Sequence, residues 1–190
     1  GALVALDVKT GEILAMVSKP DYDLNDLTPY ISHDVFRRIE DEGAWLNRAT
    51  QGLYPPGSLF KIITAIAGLR VGAITAESTA ICTGSFKVGK RRFPCHNRIG
   101  HGEVDLRDAI RVSCNVFFYT YGLKTGIDNL SAEARRFGLD RQTGIEIPSE
   151  ASAMLVPSRA WKEENRNMPW FPGDTANTAI GQGFVRVTPL

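Results

Sequence analysis

Ser58 and Lys61 are the residues whose types and spacing most directly indicate chemistry in this sequence. On a helix they lie about one turn apart on the same face. A serine becomes a nucleophile when a neighbouring base takes its proton, and a lysine can be that base when burial lowers its pKa. The sequence after Ser58 is apolar on nearly every side, which predicts a buried helix with a buried lysine. The alternative is that Ser58 only caps this helix and that Lys61 extends to solvent.

Two further sequence features add to this pair. One is a turn directly before it, and the other is a second pair of polar residues. The turn Pro55-Pro56-Gly57 directly precedes Ser58 and predicts a rigid entry to the helix, whose free N–H groups can stabilise an oxyanion. Ser113 and Asn115 interrupt otherwise apolar helical sequence further along the chain. This second pair predicts a helix junction or a short loop that reaches into a cleft, and helix capping is the common alternative.

The order Ser-x-x-Lys followed by Ser-x-Asn is that of the penicillin-binding protein and β-lactamase superfamily. The segments 7–18, 47–61 and 173–190 resemble the high-molecular-weight penicillin-binding proteins. The resemblance is greatest to the penicillin-binding protein 2 family, the class B transpeptidases of rod-shape elongation, and it covers essentially the whole chain. It implies an α+β fold with a helical part and a mainly antiparallel sheet.

The resemblance implies a role for each of four residues. Ser58 attacks the penultimate D-Ala carbonyl of a peptidoglycan stem peptide and releases the terminal D-Ala, and its N–H supplies half of an oxyanion hole. Lys61 accepts the Ser58 proton, and Ser113 relays a proton toward the leaving amine. Asn115 hydrogen-bonds the acyl-donor amide. An amine of a neighbouring strand then resolves the acyl-enzyme into a cross-link, and β-lactams trap that acyl-enzyme.

Further expectations follow from the same resemblance. Gly57, Asp174 and Thr175 join Asn115 as candidates for substrate binding. Catalysis needs no cofactor, and the implied partners are the stem peptide, β-lactam antibiotics and a membrane glycosyltransferase of the elongation machinery. The implied location is the periplasmic face of the bacterial inner membrane, with an anchor outside this sequence.

Two other functions use the same four residues. A β-lactamase or D,D-carboxypeptidase needs a group that activates water for deacylation, and no glutamate of this sequence lies in an identifiable motif for that task. A non-catalytic penicillin sensor keeps the motifs without cross-linking peptides. Turnover of penicillin and the ability to cross-link peptides separate these alternatives from a transpeptidase.

The third motif of the superfamily is Lys-Thr-Gly on an edge strand. This sequence contains the same three residues at a position that does not fit that motif. Lys124-Thr125-Gly126 follows closely on Asn115 and directly on a predicted helix, where Gly126 is typical of a C-cap. We therefore expect the true motif beyond Leu190. On this interpretation residues 1–190 are the N-terminal portion of a transpeptidase domain, with part of the site missing and with a Cys/His-rich excursion inserted at about 82–103.

Three cysteines and two histidines form a candidate metal site: Cys82, Cys95, Cys114, His96 and His101. Three cysteines and one histidine suffice for a closed tetrahedral zinc site, which would brace a segment that lacks its own core. Flanking glycines favour His101 over His96 as the fourth ligand. Some members of the resembling family have zinc here with varied ligands. The alternative is a Cys82–Cys95 disulfide with Cys114 as a buried thiol.

Composition limits the broad classes of protein to which this sequence can belong. The 190 residues include 22 Lys plus Arg and 21 Asp plus Glu, so the formal net charge is +1. This near-neutral balance argues against a nucleic-acid binder and against a disordered acidic protein. No apolar run approaches the roughly 18 residues of a membrane span. The chain starts at Gly1 without a Met and ends without a polar tail, so we expect a fragment of a longer protein.

Periodicity and turn residues predict mostly helices after an initial hairpin. Both strands of the hairpin, 2–7 and 12–18, are predicted to be largely buried, and the last 20 residues are predicted to be mostly loop. A basic run in the excursion is predicted to be a solvated hairpin, with a partner surface as the alternative: Lys87, Lys90, Arg91, Arg92 and Arg98. Helices are predicted at 32–42, 59–69, 105–123, 127–138 and 158–165.

Overall fold

The computed structural model describes residues 1–190 as seven α-helices and three two-stranded antiparallel sheets, which confirms the α+β class. The strands are β1 Ala2–Leu6, β2 Ile13–Ser18, β3 Thr79–Cys82, β4 Ser85–Val88, β5 Arg91–Pro94 and β6 Gly102–Asp105. The helices are α1 His33–Asp41, α2 Phe60–Arg70, α3 Leu106–Arg111, α4 Asn115–Thr125, α5 Ile127–Arg136, α6 Arg159–Arg166 and α7 Pro172–Ala179. None of these helices has the length and apolar character needed to cross a membrane.

The chain divides into two compact units. The first contains residues 1–54, 141–154 and 187–190, and the second contains residues 55–140 and 155–186. All the candidate catalytic and metal-ligating residues belong to the second unit.

The first unit contains the predicted hairpin, in which Ala2 pairs with Ser18 and a register shift lies between Ala5 and Leu6. The Asp7 carboxylate shapes the turn by accepting the backbone N–H groups of residues 9 and 10. The prediction that both strands are largely buried was wrong, because neither strand contains a buried residue. The two strands pair only with each other.

The second unit is built around α4, which packs on α2, α5 and α7. Phe117 and Phe118 of α4 are fully buried. Gly122 lets α7 approach closely, because a Cβ at this position would lie 2.3 Å from the Cβ of Ala179. The Thr64 hydroxyl of α2 donates a 2.8 Å hydrogen bond to the carbonyl of Ala179. The three helices α2, α4 and α7 therefore form one packed core.

The predicted helix 105–123 is interrupted between Arg111 and Asn115, as the helix-junction hypothesis for Ser113 expected. Asp105 caps α3 by accepting the N–H of Asp108. Ser113 then adopts a positive φ of 53°. Left-handed backbone is uncommon for a residue with a side chain and breaks the helix at this point. It separates α3 from α4 and places Ser113 in the connection.

The excursion consists of two small sheets, β3 with β6 and β4 with β5. The predicted hairpin is β4–β5, and it turns at Gly89. Two glycines with positive φ close the base of the excursion. A Cβ at Gly84 would lie 2.0 Å from the carbonyl oxygen of Arg98, and a Cβ at Gly100 would lie 2.2 Å from that of Cys82. Only glycine permits these contacts, so close backbone packing holds the loop 96–100 in place.

The prediction that the last 20 residues are mostly loop missed α7, which takes eight of them. Pro172 occupies the first position of α7, where the N–H that proline lacks would have no partner within the helix. The Asp174 carboxylate accepts the N–H of Phe171 at 2.8 Å. The same carboxylate accepts a 2.6 Å bond from Lys162 of α6. These contacts and the packing of Ala179 stabilise a helix whose composition alone favours a loop.

Lys124-Thr125-Gly126 lies at the end of α4, which confirms that this segment is not an edge strand. The Thr125 hydroxyl is buried and donates to the carbonyl of Tyr121 in the preceding turn. Gly126 has a φ of 79° and ends the helix.

Candidate active site

Ser58 lies in a short 3-10 turn, Gly57–Leu59, that leads directly into α2. Gly57 has a φ of 58°, and its N–H donates a 2.9 Å hydrogen bond to the carbonyl of Gly181. A Cβ at Gly181 would lie 2.2 Å from the Gly57 oxygen, so this close approach requires glycine. The Ser58 side chain is exposed at the start of the helix. The predicted rigid turn therefore presents the hydroxyl to solvent on a buried helix.

Lys61 is only 3% exposed, as the apolar helix predicted. Its Nζ donates to the Ser113 carbonyl at 2.7 Å, to the Ser113 Oγ at 2.9 Å and to the Asn115 Oδ1 at 2.6 Å. The ammonium also lies 5.7 Å from the centroid of the Phe118 ring. Burial lowers the pKa of Lys61 to about 8, although the nearby thiols of Cys95 and Cys114 oppose that change. A lysine with this pKa is neutral in a substantial fraction of molecules near neutral pH and can accept a proton.

Ser113 lies between the nucleophile candidate and the lysine. Its Oγ is 3.1 Å from the Ser58 Oγ and 2.9 Å from the Lys61 Nζ. Lys61 makes no direct hydrogen bond to Ser58. The proton transfer expected from Ser58 to Lys61 would therefore pass through Ser113. When Lys61 is charged, hydrogen bonds run from the lysine toward Ser58. When Lys61 is neutral the direction can reverse, and Ser58 can donate through Ser113.

Asn115 begins α4, and its side-chain amide is held at both ends. The oxygen accepts from Lys61, and Nδ2 donates a 3.3 Å bond to the carbonyl of Pro94. The Tyr119 hydroxyl donates to the same carbonyl at 3.2 Å. The end of β5 therefore orients the amide of Asn115, which links the excursion directly to the site.

A cavity of about 340 Å³ opens over these residues. Its walls include three residues that sequence analysis did not place in the site. They are His96, Ile180 and Gln182. Residues 181–183 form a Gly-Gln-Gly turn directly after α7, and this turn was the available signal for Gln182. His96 therefore lines the same cavity as Ser58.

The structure does not bring Asp174 and Thr175 to this cavity. The Asp174 carboxylate pairs with Lys162, and the Thr175 Oγ1 accepts a 2.8 Å bond from the Trp170 indole. Both side chains stabilise α7 by these contacts. Gly57 does not line the cavity and supports the turn through its backbone. A substrate role for these three residues stays a prediction without support from the contacts.

The four predicted metal ligands do converge. The three sulfur atoms and one imidazole nitrogen of Cys82, Cys95, His101 and Cys114 lie within 4.8 Å of one another. Tetrahedral zinc with thiolate ligands needs sulfur separations of about 3.8 Å, so a small contraction would suffice. All three cysteines are free and buried. The residues present therefore fit a closed zinc site in which His101 is the fourth ligand.

The pKa values of two thiols in this cluster shift in opposite directions. Burial raises the pKa of Cys114 to about 12. Burial opposes ionisation of Cys95 too, but backbone N–H groups, that of Asn115 first among them, lower its pKa. Burial and the neighbouring His96 lower the pKa of His101. That shift favours the neutral imidazole, which is the form that binds metals.

The chain matches the family described as penicillin binding protein transpeptidase domain over residues 1–190. It therefore belongs to the penicillin-binding protein transpeptidases, and both its α+β architecture and its Ser58–Lys61–Ser113 arrangement agree with that class. Within the class it is similar to PBP2, also called MrdA. The peptidoglycan D,D-transpeptidase MrdA of Haemophilus influenzae is 40% identical over 194 residues, a match that covers 100% of this chain and 30% of that protein.

Solved structures give the same assignment. The crystal structure of Pseudomonas aeruginosa PBP2 in complex with WCK 5153 matches with a TM-score of 0.92 and 39% identity, over 100% of this chain and 44% of that one. PBP2 of Helicobacter pylori, in complex with MreC, matches with a TM-score of 0.95 and 38% identity, over 100% of this chain and 36% of that one. The chain spans about a third of the length of the curated relatives that it matches, between 29% and 38%.

Proposed function

We propose that this chain carries the nucleophile, base and relay of a peptidoglycan D,D-transpeptidase that cross-links stem peptides in cell-wall elongation. The observation that carries the proposal is the hydrogen-bonded series from the buried Lys61 through Ser113 to the exposed Ser58. The pKa of Lys61, lowered to about 8 by burial, suits a base that works near neutral pH.

Acylation follows from this geometry. Ser58 attacks the penultimate D-Ala carbonyl of the donor peptide, and its proton passes through Ser113 to neutral Lys61. The Ser58 N–H at the start of α2 faces the oxyanion that forms. Lys61, now charged, returns a proton through Ser113 to the leaving amine, and D-Ala departs. Asn115 holds the donor amide by hydrogen bonding.

An amine of a second stem peptide then attacks the acyl-enzyme, releases Ser58 and forms the cross-link. A β-lactam presents a strained amide to the same nucleophile, and its ring-opened product stays attached because no amine resolves it. The family description and the similarity to D,D-transpeptidase MrdA support this substrate class.

The cellular setting is proposed from the same similarity. Penicillin-binding transpeptidases of elongation act at the periplasmic face of the bacterial inner membrane beside a glycosyltransferase partner. The similarity to a PBP2 that was solved with MreC supports an assembly of this kind. Co-purification of the full-length protein with a membrane glycosyltransferase would support the assignment, and stable recovery from the soluble fraction alone would contradict it.

The decisive experiment is the intact mass of the full-length protein before and after benzylpenicillin, followed by peptide mapping, with Ser58→Ala as the matched control. A stable adduct of one whole penicillin on Ser58 supports a transpeptidase. A transient adduct with steady hydrolysis indicates a β-lactamase or carboxypeptidase instead. An adduct without cross-linked product from donor and acceptor peptides indicates a sensor. No adduct on folded protein contradicts the proposal.

We further propose that Cys82, Cys95, His101 and Cys114 hold a structural zinc ion. When bound, zinc would staple the excursion and support the loop that carries Ser113 and Asn115. The convergence of the four ligand atoms and the burial of all three cysteines support this site. Metal analysis of full-length protein dialysed without chelator should give about one zinc per chain. A zinc content well below this value, in protein with free thiols, would contradict the site.

A further inference from the structure

The arginines of the excursion border a cavity that adjoins the catalytic pocket. This cavity has a volume of about 320 Å³, and we call it the arginine pocket after Arg91, Arg92 and Arg98 in its wall. Four residues line both this cavity and the one over Ser58. They are His96, Asn115, Ile180 and Gln182. A molecule bound at Ser58 and Asn115 can therefore extend into the arginine pocket without leaving the protein surface.

The arginine pocket carries positive charge that no residue of 1–190 neutralises. No aspartate or glutamate lines it, and none of its three arginines takes part in the eight ion pairs of the structure. Arg91 lies 5.1 Å from the centroid of the Phe93 ring, and Arg92 donates a 3.1 Å bond to the Ser85 hydroxyl. Both partners are neutral, so these guanidinium groups keep their full charge toward a ligand.

The backbone around Arg98 is fixed in advance. The Asn97 side chain accepts the N–H of Ile99 at 3.1 Å and donates to the carbonyl of Gly100 at 2.8 Å. The Arg98 carbonyl packs against the Cα of Gly84 so closely that a Cβ there would lie 2.0 Å away. A loop held in this way loses little further freedom when its arginine binds a ligand. The five basic residues of the excursion are exposed, as the solvated-hairpin prediction expected, but the loop that carries Arg98 is held by these contacts.

We propose that the arginine pocket binds a carboxylate of the peptidoglycan stem peptide and thereby selects acidic peptides for this enzyme. The planar fork of an arginine matches a carboxylate in two parallel hydrogen bonds, and the pocket offers three such groups beside Asn115. The inference deepens the proposed function and rests on it. The carboxylate comes either from the donor strand, whose peptide is held at Ser58, or from the acceptor strand.

The test compares two penicillins that differ only at the end of the acyl side chain, which is a carboxylate in one and its carboxamide in the other. Full-length protein should be acylated about two- to fivefold faster by the carboxylate than by the carboxamide, the scale of a partly exposed charge contact. Arg98→Gln and Arg91→Gln should bring this ratio close to one. Lys90→Gln is the matched control, because it removes a charge from the same hairpin outside the pocket and should leave the ratio unchanged.

A second measurement separates the two sources of the carboxylate. The acyl-enzyme formed by a peptide thioester donor is resolved with an amine acceptor that carries either a carboxylate or the carboxamide. Discrimination in acylation assigns the pocket to the donor strand, and discrimination only in this later step assigns it to the acceptor strand.

The outcomes distinguish this inference from the proposed function. Equal rates for both probes in both steps, or equal ratios in Arg98→Gln and Lys90→Gln, would overturn the arginine pocket while acylation by benzylpenicillin continues. Absence of any acylation by benzylpenicillin would instead overturn the proposed function, and the inference with it.

Discussion

The helical core and the excursion of the second unit share one apolar cluster, to which the excursion contributes the smaller part. In the core, α2, α4 and α7 bury large apolar side chains such as Phe60, Phe117 and Phe118. Burial on this scale is the main stabilising contribution in folded proteins. The excursion has strands of four residues and contributes Cys82, Phe93 and Val104 to the same cluster. Close backbone contacts at Gly84 and Gly100 add to this packing.

This difference shows which region holds each part of the candidate site in place. The core fixes Ser58 and Lys61 by packing, and it lowers the pKa of Lys61 by excluding water. The excursion contributes one backbone carbonyl, that of Pro94, which orients Asn115. It also contributes His96 and the arginines to the pockets. We therefore expect perturbations of the core to affect chemistry and folding, and perturbations of the excursion to affect substrate positioning first.

The largest expected effect comes from removal of the base in the core. Lys61→Met should lower the rate of acylation by benzylpenicillin about a thousandfold, because Lys61 is the base that Ser113 connects to Ser58. The melting temperature should hold or rise, because an apolar side chain replaces a buried cation. Lys124→Met, an exposed lysine on α4, is the matched control. Near-normal acylation in Lys61→Met would show that the series through Ser113 is not the proton path.

The next largest effect is expected on zinc binding by the excursion. His101→Asn should weaken zinc binding about a hundredfold, because a ligand is lost. His96→Asn should leave zinc content unchanged, since His96 lies outside the ligand group. Competition with a chelator measures both affinities. Equal loss of zinc in the two variants would contradict the ligand assignment and would weaken the contrast between excursion and core.

A pair of glycine substitutions compares the two regions directly. Gly122→Ala should lower the free energy of unfolding by about 2 kcal/mol, because its Cβ would meet that of Ala179 at 2.3 Å inside the core. Gly84→Ala should instead expose the cysteines to a thiol reagent while the core stays folded, because it displaces the loop at Arg98. Denaturant titration and thiol labelling give the two readouts. If Gly84→Ala unfolds the whole unit, the excursion is not separable from the core.

The smallest expected effect is that of pH. Below about 8 Lys61 is mostly protonated and cannot accept the Ser58 proton, so acylation should rise with pH through this value. For a single group of this pKa, the rate should increase about fivefold between pH 7 and 8 and less than about twofold from 8 to 9. Stability should also rise between the folded pKa of about 8 and the ordinary value of 10.5, because the unfolded state binds more protons there. A flat rate profile would contradict this role of the lysine.

Local signals predicted much of the fold. The predicted helices 32–42 and 158–165 begin at Ser32 and Ser158, which cap α1 and α6, and an N-cap depends only on residues within one turn. The burial of Lys61 followed from the apolar sequence around it. Helix α7 was missed because its Gly, Pro, Asp and Thr residues favour a loop, whereas Lys162 and Gly122 stabilise it from elsewhere in the chain. Burial of the first hairpin failed for a related reason, since strand composition cannot show whether another element covers it.

The sequence by itself determined the candidate nucleophile, the spacing of Lys61 on the same helix face and the residue types of the candidate metal cluster. These depend on side-chain chemistry and on helix periodicity, which act over a few residues. Only the tertiary structure decided that Ser113 connects Ser58 to Lys61, that Pro94 orients Asn115, and that Arg98 borders a cavity beside the site. Distances between side chains and the exclusion of water depend on how remote segments pack, and local sequence does not encode them.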